Sequence, residues 1–279
     1  MKSESAHARA QDCAPCAALR APAHWRCLAL VSDLHLGPQA PRTSAAFVQW
    51  LQGLGGRADA LLILGDLFEA WIGDDLLEQS PRDEHHAVCE ALAALAARGC
   101  SIGVQRGNRD FLLGPGFARC SGARLLDDPC MLELGGQRIL LSHGDALCID
   151  DHAYLRWRQT CRDPRWQAGF LAQPLEQRRQ QALAAREQSR QSQAAMEQLG
   201  DADPGEARSW LLREQAPWMI HGHTHRPREH WQGGQLRQVL SDWDLDHAAP
   251  GRAQVLWLRP RARWIDVERE NLGTGRGAT

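Results

Sequence analysis

Five short apolar runs in this sequence each end in a cluster of polar residues of the types that bind metal ions. Runs of this length are typical of strands that are buried on both faces of a sheet. In open α/β sheets, ligands bind outside the carboxyl ends of the strands, so residues far apart in sequence can meet there. We therefore expect five clusters to lie together: Ser32-Asp33-Leu34-His35, Gly65-Asp66, Gly107-Asn108-Arg109-Asp110, Ser142-His143-Gly144-Asp145 and Gly222-His223-Thr224-His225.

Predicted strands alternate with predicted helices up to about residue 149. Apolar periodicity predicts helices over 43–54 and 83–97, and these separate the predicted strands at 27–31, 60–64 and 101–105. Gly135-Gly136 then marks the turn of a predicted hairpin between 131 and 141. Further strands are predicted near 218–220, 237–240, 253–258 and 263–267. This alternation is typical of an α/β layered domain.

The segment from 150 to 215 has a different character. It contains no convincing strand, and its helical segments are broken at Pro164, Pro174 and Pro204. We interpret it as a helical cap inserted over the ligand-bearing edge of a core formed by residues 25–149 and 216–268. Residues 1–24 are Ala-rich and unpatterned, which predicts a disordered leader, and residues 269–279 are expected to form a frayed tail.

Seven of the clustered residues would suit a site for two metal ions. Carboxylates mixed with imidazoles and one amide oxygen favour Mn²⁺, Fe²⁺ or Zn²⁺ over Ca²⁺ or a soft thiolate site. Seven ligands suffice for two ions if Asp66 bridges them, and two ions about 3.5–4 Å apart can hold a hydroxide and clamp a phosphoryl group. Arg109 can neutralise the phosphate oxygens. The predicted metal ligands are Asp33, His35, Asp66, Asn108, His143, His223 and His225.

Each of these residues taken alone has a simpler explanation. An Asp or Asn after a strand is commonly a turn residue, and a His before a Gly can be an ordinary loop residue. Five clusters in register with five strand ends are much harder to explain as turns. The pairs Asp74-Asp75 and Asp127-Asp128 lack that context, and we interpret them as solvated loop residues.

Composition excludes several other classes of protein. The net charge of −2 argues against nucleic-acid binding, which requires a clear excess of basic residues. The nine cysteines are scattered and mostly apolar in context, so we expect free thiols in a reducing compartment. No run approaches the ~20 apolar residues of a membrane-spanning helix. We therefore expect a cytoplasmic protein.

Together the five clusters resemble the motifs of the calcineurin-like metallophosphoesterases, over about residues 26–267. That pattern is Asp-x-His, Gly-Asp, Gly-Asn-His-Asp/Glu, a His in a Gly-containing loop, and Gly-His-x-His. The resemblance implies an α/β fold with a layered β-sandwich flanked by helices. The chain departs from the pattern at Arg109, where most members have the His that donates a proton to the leaving group.

The departure narrows the resemblance to one branch of the family, the UDP-2,3-diacylglucosamine pyrophosphatases of lipid A biosynthesis in Gram-negative bacteria. The similar stretches are 65–75, 107–114, 142–145 and 221–227. The resemblance implies hydrolysis at the α-phosphorus by a hydroxide activated by two Mn²⁺ ions per subunit, giving UMP and 2,3-diacylglucosamine 1-phosphate. It places one ion on Asp33, His35, Asp66 and His225, and the other on Asp66, Asn108, His143 and His223. It also implies catalytic roles for Asp66 and Arg109, and substrate contacts by Asn108, Arg109, Asp151, Ser189, Gln193 and His223.

The same resemblance implies a protein that is peripheral on the cytoplasmic face of the inner membrane, and we favour a monomer that binds no nucleic acid. Two other functions stay open. One is the same metal centre acting on a soluble nucleotide derivative, and the other is a metal-stabilised scaffold whose insertion binds a partner protein. The complete ligand set disfavours the scaffold. The apolar content of the insertion, together with Arg109, favours the lipid substrate.

Overall fold

The computed structural model describes residues 16–79, 83–195 and 201–272. Twelve strands are defined in these ranges: β1 Ala17–Arg20, β2 Leu28–Val31, β3 Ala60–Leu64, β4 Ser101–Gln105, β5 Arg124–Leu126, β6 Cys130–Leu134, β7 Gln137–Ser142, β8 Trp218–His221, β9 Glu229–Gln232, β10 Gln235–Val239, β11 Gln254–Pro260 and β12 Ile265–Asn271. The helices are α1 Pro41–Leu54, α2 Leu76–Gln79, α3 Glu84–Ala97, α4 Pro115–Ser121, α5 His152–Cys161, α6 Pro164–Leu171, α7 Leu175–Ala195 and α8 Pro204–Arg213.

The strands form two six-stranded mixed sheets. The first has the order β1-β6-β7-β8-β10-β9 and the second the order β12-β11-β2-β3-β4-β5. Strands β2, β3, β4 and β5 run parallel to one another in the second sheet, and β7, β8 and β10 are parallel in the first. The carboxyl ends of β2, β3, β4, β7 and β8 deliver the five polar clusters.

The two sheets pack face to face and are flanked by helices. Alternate residues of β2 show this, because Leu28 and Leu30 join the core between the sheets whereas Ala29 and Val31 join the core under α1 and α3. All five residues of β3 are buried, as expected for a strand covered on both faces. The layered β-sandwich flanked by helices is therefore confirmed.

Helix α8 lies in the segment that we assigned to the cap insertion, but it belongs to the packed core. Its buried residues Ala207, Trp210 and Leu211 lie in the same apolar cluster as Met131 and Met219 of the first sheet. We therefore use the name cap helices for α5, α6 and α7 alone. None of the helices in the described ranges is long and apolar enough to cross a membrane.

The predicted ends of the ordered core need correction. Residues 17–20, placed in the disordered leader, form β1 and pair in parallel with β6, while residues 1–15 lie outside the described part. The frayed tail was expected from 269, but β12 continues to Asn271 and pairs with β11 along its length. Residues 273–279 lie outside the described ranges. Eight cysteines are described, and all of them are free thiols, as expected.

Candidate active site

One half of the site is formed by residues that follow β2, β3 and β8. The Nε2 atoms of His35 and His225 lie 3.4 Å apart. The Oδ2 atom of Asp66 lies 3.8 Å from Nε2 of His35, and Oδ1 of Asp33 lies 3.4 Å from Nε2 of His225. The four residues expected around one ion are thus together.

The other half is formed by residues that follow β4, β7 and β8. The Oδ1 atom of Asn108 lies 2.9 Å from Nε2 of His143 and 3.0 Å from Nδ1 of His223. Asp66 again takes part, because its Oδ2 atom lies 3.7 Å from Nε2 of His143. The carboxylate of Asp66 therefore faces both halves, which is the geometry expected of a bridging ligand.

The donor atoms suit the binding of divalent cations. The Oδ1 atom of Asp33 is buried and makes no hydrogen bond, which is costly unless a cation compensates it. Two groups have ligand atoms within 4.8 Å of one another: Asp33 with His35 and His225, and Asp33 with Asp66 and His143. Asp33 was expected beside one ion only, whereas its carboxylate lies near both groups. Carboxylates with imidazoles suit Mn²⁺, Fe²⁺ or Zn²⁺.

The backbone around these ligands is strained. Positive φ angles occur at Asp33, His35 and Asp66 and also at His223 and His225, with values between 49° and 66°. Such angles cost a non-glycine residue roughly 1–2 kcal/mol, and they concentrate at functional sites. In the described ranges one other non-glycine residue has a positive φ, namely Gln215. The fold therefore holds five of the seven predicted ligands in conformations that local preference disfavours.

Glycines in two of the loops allow the ligand loops to approach closely. A Cβ atom at position 107 would overlap the carboxylate of Asp66, and one at position 222 would overlap Asp33 and Ser32. The backbone N–H of His223 also donates a 2.9 Å hydrogen bond to Oδ2 of Asp33. The lack of a side chain at Gly107 and Gly222 thus allows the loops to pack closely as well as to turn.

The carboxylates and imidazoles of the site shift one another's pKa values. Burial opposes a charge on His143, but the carboxylates of Asp66 and Asp33 outweigh it and raise the pKa of His143 to about 9. Burial likewise opposes the charge on Asp33, but His225 and His143 hold the pKa of Asp33 well below its usual range. The buried carboxylates of Asp33 and Asp66 would attract cations to this site.

A network that we did not predict supports the His143 loop from the cap. Asp145 is fully buried, accepts a hydrogen bond from the hydroxyl of Tyr154, and lies 2.8 Å from Nε of Arg158. Asp128 accepts hydrogen bonds from Ser142 Oγ and from the N–H of His143, and it pairs with Arg158 at 3.3 Å. The interpretation of Asp128 as a solvated loop residue is wrong, because its partners come from β7 and α5.

Other acidic residues fix the neighbouring loops. The Oδ2 atom of Asp110 accepts from the N–H groups of Leu67 and Phe68, and its Oδ1 atom accepts from Gly107, so it ties together the loops after β3 and β4. Burial, with the charge of Asp66, raises the pKa of Asp110 to about 6. Asp74 was also interpreted as solvated, but it accepts from the N–H groups at 114 and 116 at the start of α4.

The predicted substrate-binding residues differ in how close the structure places them to the predicted metal ligands. Arg109 is half-buried beside the metal ligands, and its N–H donates a 2.8 Å hydrogen bond to Oδ1 of Asp66. Asp151 caps helix α5 by accepting from the N–H of Tyr154. Ser189 and Gln193 lie on helix α7, and their side chains are outside the described part of the chain. His221 turns away from the ligands, with Nε2 3.1 Å from Nη1 of Arg237.

Comparison with known proteins defines the class. A family model for the calcineurin-like phosphoesterases matches residues 28–227, and the chain belongs to this family. The chain is 42% identical over 248 residues to the UDP-2,3-diacylglucosamine hydrolase of Bordetella parapertussis, with 87% of this chain and 92% of the relative covered. It is 46% identical to the proteins of the same name from Chromobacterium violaceum over 217 residues and Stenotrophomonas maltophilia strain K279a over 225 residues. Each of these matches covers 76% of this chain and 89% of the relative.

Proposed function

We propose that this protein hydrolyses the pyrophosphate bond of UDP-2,3-diacylglucosamine at the α-phosphorus, giving UMP and 2,3-diacylglucosamine 1-phosphate. The observation that carries the proposal is the convergence of the other six predicted ligands around the carboxylate of Asp66, in a chain similar over most of its length to hydrolases named for this substrate. We assign this reaction to lipid A biosynthesis, as the sequence resemblance implies. The protein is accordingly a metal-dependent hydrolase.

Two Mn²⁺ ions per subunit are the cofactors we propose. One would be held by Asp33, His35, Asp66 and His225, and the other by Asp66, Asn108, His143 and His223. When bound, such a pair of ions supplies the positive charge that activates water and stabilises charge on the phosphate oxygens. Manganese is proposed over calcium because each ion would have two imidazole ligands, which are poor ligands for a hard cation that prefers oxygen.

Arg109 and the metal-binding residues have distinct roles in this proposal. The hydrogen bond from the N–H of Arg109 to Asp66 fixes the backbone of Arg109 beside the shared carboxylate. The guanidinium can then donate two parallel hydrogen bonds to a phosphate and stabilise the charge that develops on it. A guanidinium does not release its proton at neutral pH, so Arg109 stabilises charge and does not act as a general acid.

The cap helices are proposed to hold the acylated glucosamine. Trp157, Leu171 and Leu183 on these helices are exposed large apolar side chains, and Ile149 just before α5 is another. Exposed apolar patches mark binding sites for apolar partners, which here would be the acyl chains. Polar contacts by Asp151, Ser189 and Gln193 are part of the same proposal. So is a peripheral position on the cytoplasmic face of the inner membrane, where this substrate would reside.

The test is release of UMP by the purified protein with Mn²⁺ in detergent micelles. We expect UDP-2,3-diacylglucosamine to be hydrolysed far faster than deacylated UDP-glucosamine, because only the acylated substrate can bury its chains against the cap helices. Equal or faster turnover of UDP-glucosamine would contradict the lipid assignment. That outcome would instead support a metal-dependent pyrophosphatase for soluble nucleotide derivatives.

A further inference from the structure

Side chains of helix α7 contact the loop that follows β3. Its first turn carries Arg178, which is 1% exposed although it bears a guanidinium. This group forms an ion pair with Asp75 and donates hydrogen bonds to the carbonyls of Ile72 and Gln173. A guanidinium this buried is stable only with such partners, so the base of α7 is fixed to the loop.

A second contact between α7 and this loop lies two turns further along the same face of the helix. Arg178, Ala182 and Arg186 are spaced by four residues and therefore share one helix face. Ala182 packs against the main apolar core, and Nε of Arg186 lies 2.7 Å from Oε1 of Glu69. Glu69 and Asp75 both belong to the loop that follows β3, which also carries Asp66. This one loop therefore provides the proposed shared ligand and the acidic partners of both arginines of α7.

Glu69 also contacts a predicted metal ligand. Its Oε2 atom lies 3.0 Å from Nδ1 of His35, a close contact that is not a well-aligned hydrogen bond. The opposite nitrogen of His35, Nε2, faces His225 and Asp66. The side chain of Glu69 is 13% exposed, so its charge is largely shielded from water. One half-buried carboxylate therefore contacts a predicted metal ligand with one oxygen and a cap helix with the other.

We propose that Glu69 is a positioning residue that couples the metal centre to helix α7, so that metal binding and docking of α7 stabilise each other. The inference rests on the metal centre of the proposed function but not on the identity of the substrate. A metal at Nε2 of His35 would fix the imidazole ring in place with Nδ1 towards Glu69. The fixed ring would hold the Glu69 carboxylate in the position where its other oxygen contacts Arg186. Because coupling between two events is reciprocal, docked α7 must also favour metal binding.

The experiment measures amide hydrogen exchange of α7 with and without Mn²⁺, in the absence of substrate, together with Mn²⁺ binding by calorimetry. In the wild-type protein we expect Mn²⁺ to slow exchange around Arg186 by about fivefold or more. Glu69→Gln should weaken Mn²⁺ binding by about 10–100-fold. At Mn²⁺ concentrations that saturate this variant, α7 should still exchange at the metal-free rate.

Two further variants separate coupling from a merely structural contact. Arg186→Gln removes the tie from the helix side and leaves the His35 contact in place. It should therefore lose the Mn²⁺-dependent protection of α7 while Mn²⁺ affinity falls far less than in Glu69→Gln. Glu176→Gln is the matched control, because Glu176 is an exposed residue of α7 whose ion pair with Arg179 stays on the helix surface. It should behave as the wild type in both measurements.

The outcomes distinguish this proposal from the proposed function. Equal Mn²⁺-dependent protection of α7 in the wild type and in Glu69→Gln would overturn the coupling. Mn²⁺ binding to the wild type without any protection of α7 would also overturn it and would leave the enzyme assignment intact. Failure of the wild type to bind Mn²⁺ at all would refute both the coupling and the proposed metal centre.

Discussion

Replacement of Asp66 perturbs both halves of the site through a single carboxylate. Its Oδ2 atom lies 3.8 Å from His35 and 3.7 Å from His143, so this change removes the ligand that the two proposed ions share. Asp66→Asn is the sharper variant. Asn tolerates the positive φ of 51° at this position, and its amide oxygen can still accept the hydrogen bond from Arg109. The backbone and this hydrogen bond are then kept, while the charge and the Oδ2 oxygen that faces His35 and His143 are lost.

The expected loss of activity in Asp66→Asn is large because this one residue would bind both ions. We expect kcat/KM to fall by about 10³-fold or more, which is about 4 kcal/mol of transition-state stabilisation. Asp66→Ala should lose at least as much activity. In the metal-free state it should also be less stable to unfolding than Asp66→Asn by about 2 kcal/mol, because Ala is strained at positive φ and leaves the N–H of Arg109 without its acceptor.

Three measurements check this reasoning: UMP release, metal content after dialysis, and urea unfolding of the metal-free proteins. The wild type should retain two equivalents of Mn²⁺, and both variants should lose both ions together. Retention of a tenth of the wild-type rate by Asp66→Asn would refute the bridging role. So would the loss of one ion with the second bound at wild-type affinity.

Three further predictions address the neighbouring residues and the metal. Arg109→Ala should lower kcat by about 100-fold while Mn²⁺ affinity stays within about threefold, because the guanidinium acts on the phosphate and not on the ions. A loss confined to metal binding would contradict this role. Arg158→Ala removes the nearer cation of the buried Asp145 and leaves Arg162 at 3.9 Å, so the free energy of unfolding should fall by about 3 kcal/mol and the melting temperature by roughly 6–12 °C in a thermal scan. An unchanged melting temperature would show that the pair is dispensable. Dialysis against EDTA should abolish UMP release, and Mn²⁺ should restore it far better than Ca²⁺, as an oxygen-preferring ion is a poor match for the imidazoles.

That the candidate ligands lie together could be predicted from the sequence, because each one is tied to a local signal. A buried apolar run fixes where a strand ends, and Asp66 or His143 follows that end directly. Parallel strands bring their carboxyl ends to one edge, so the convergence of the clusters follows from sheet geometry without knowledge of the pairing. The residues that the structure brings together are therefore those whose positions depend on strand ends.

Residues whose role depends on a remote partner were not predicted. Asp128 and Asp74 resemble solvated loop residues in the sequence, because nothing near them reveals Arg158 or the start of α4. Arg178 lies in a Gln- and Arg-rich helix, and only the fold shows that this arginine is buried. Strand β1 escaped prediction because just one of its four residues, Leu19, is buried. In each case, the tertiary partner decides the outcome and the local pattern does not.

The most direct test of the central claim is hydrolysis of UDP-2,3-diacylglucosamine in ¹⁸O-labelled water, with mass spectrometry of both products. Attack at the α-phosphorus by water predicts one ¹⁸O atom in the phosphate of UMP and none in 2,3-diacylglucosamine 1-phosphate. Label in the lipid product, or release of no UMP, would contradict the account.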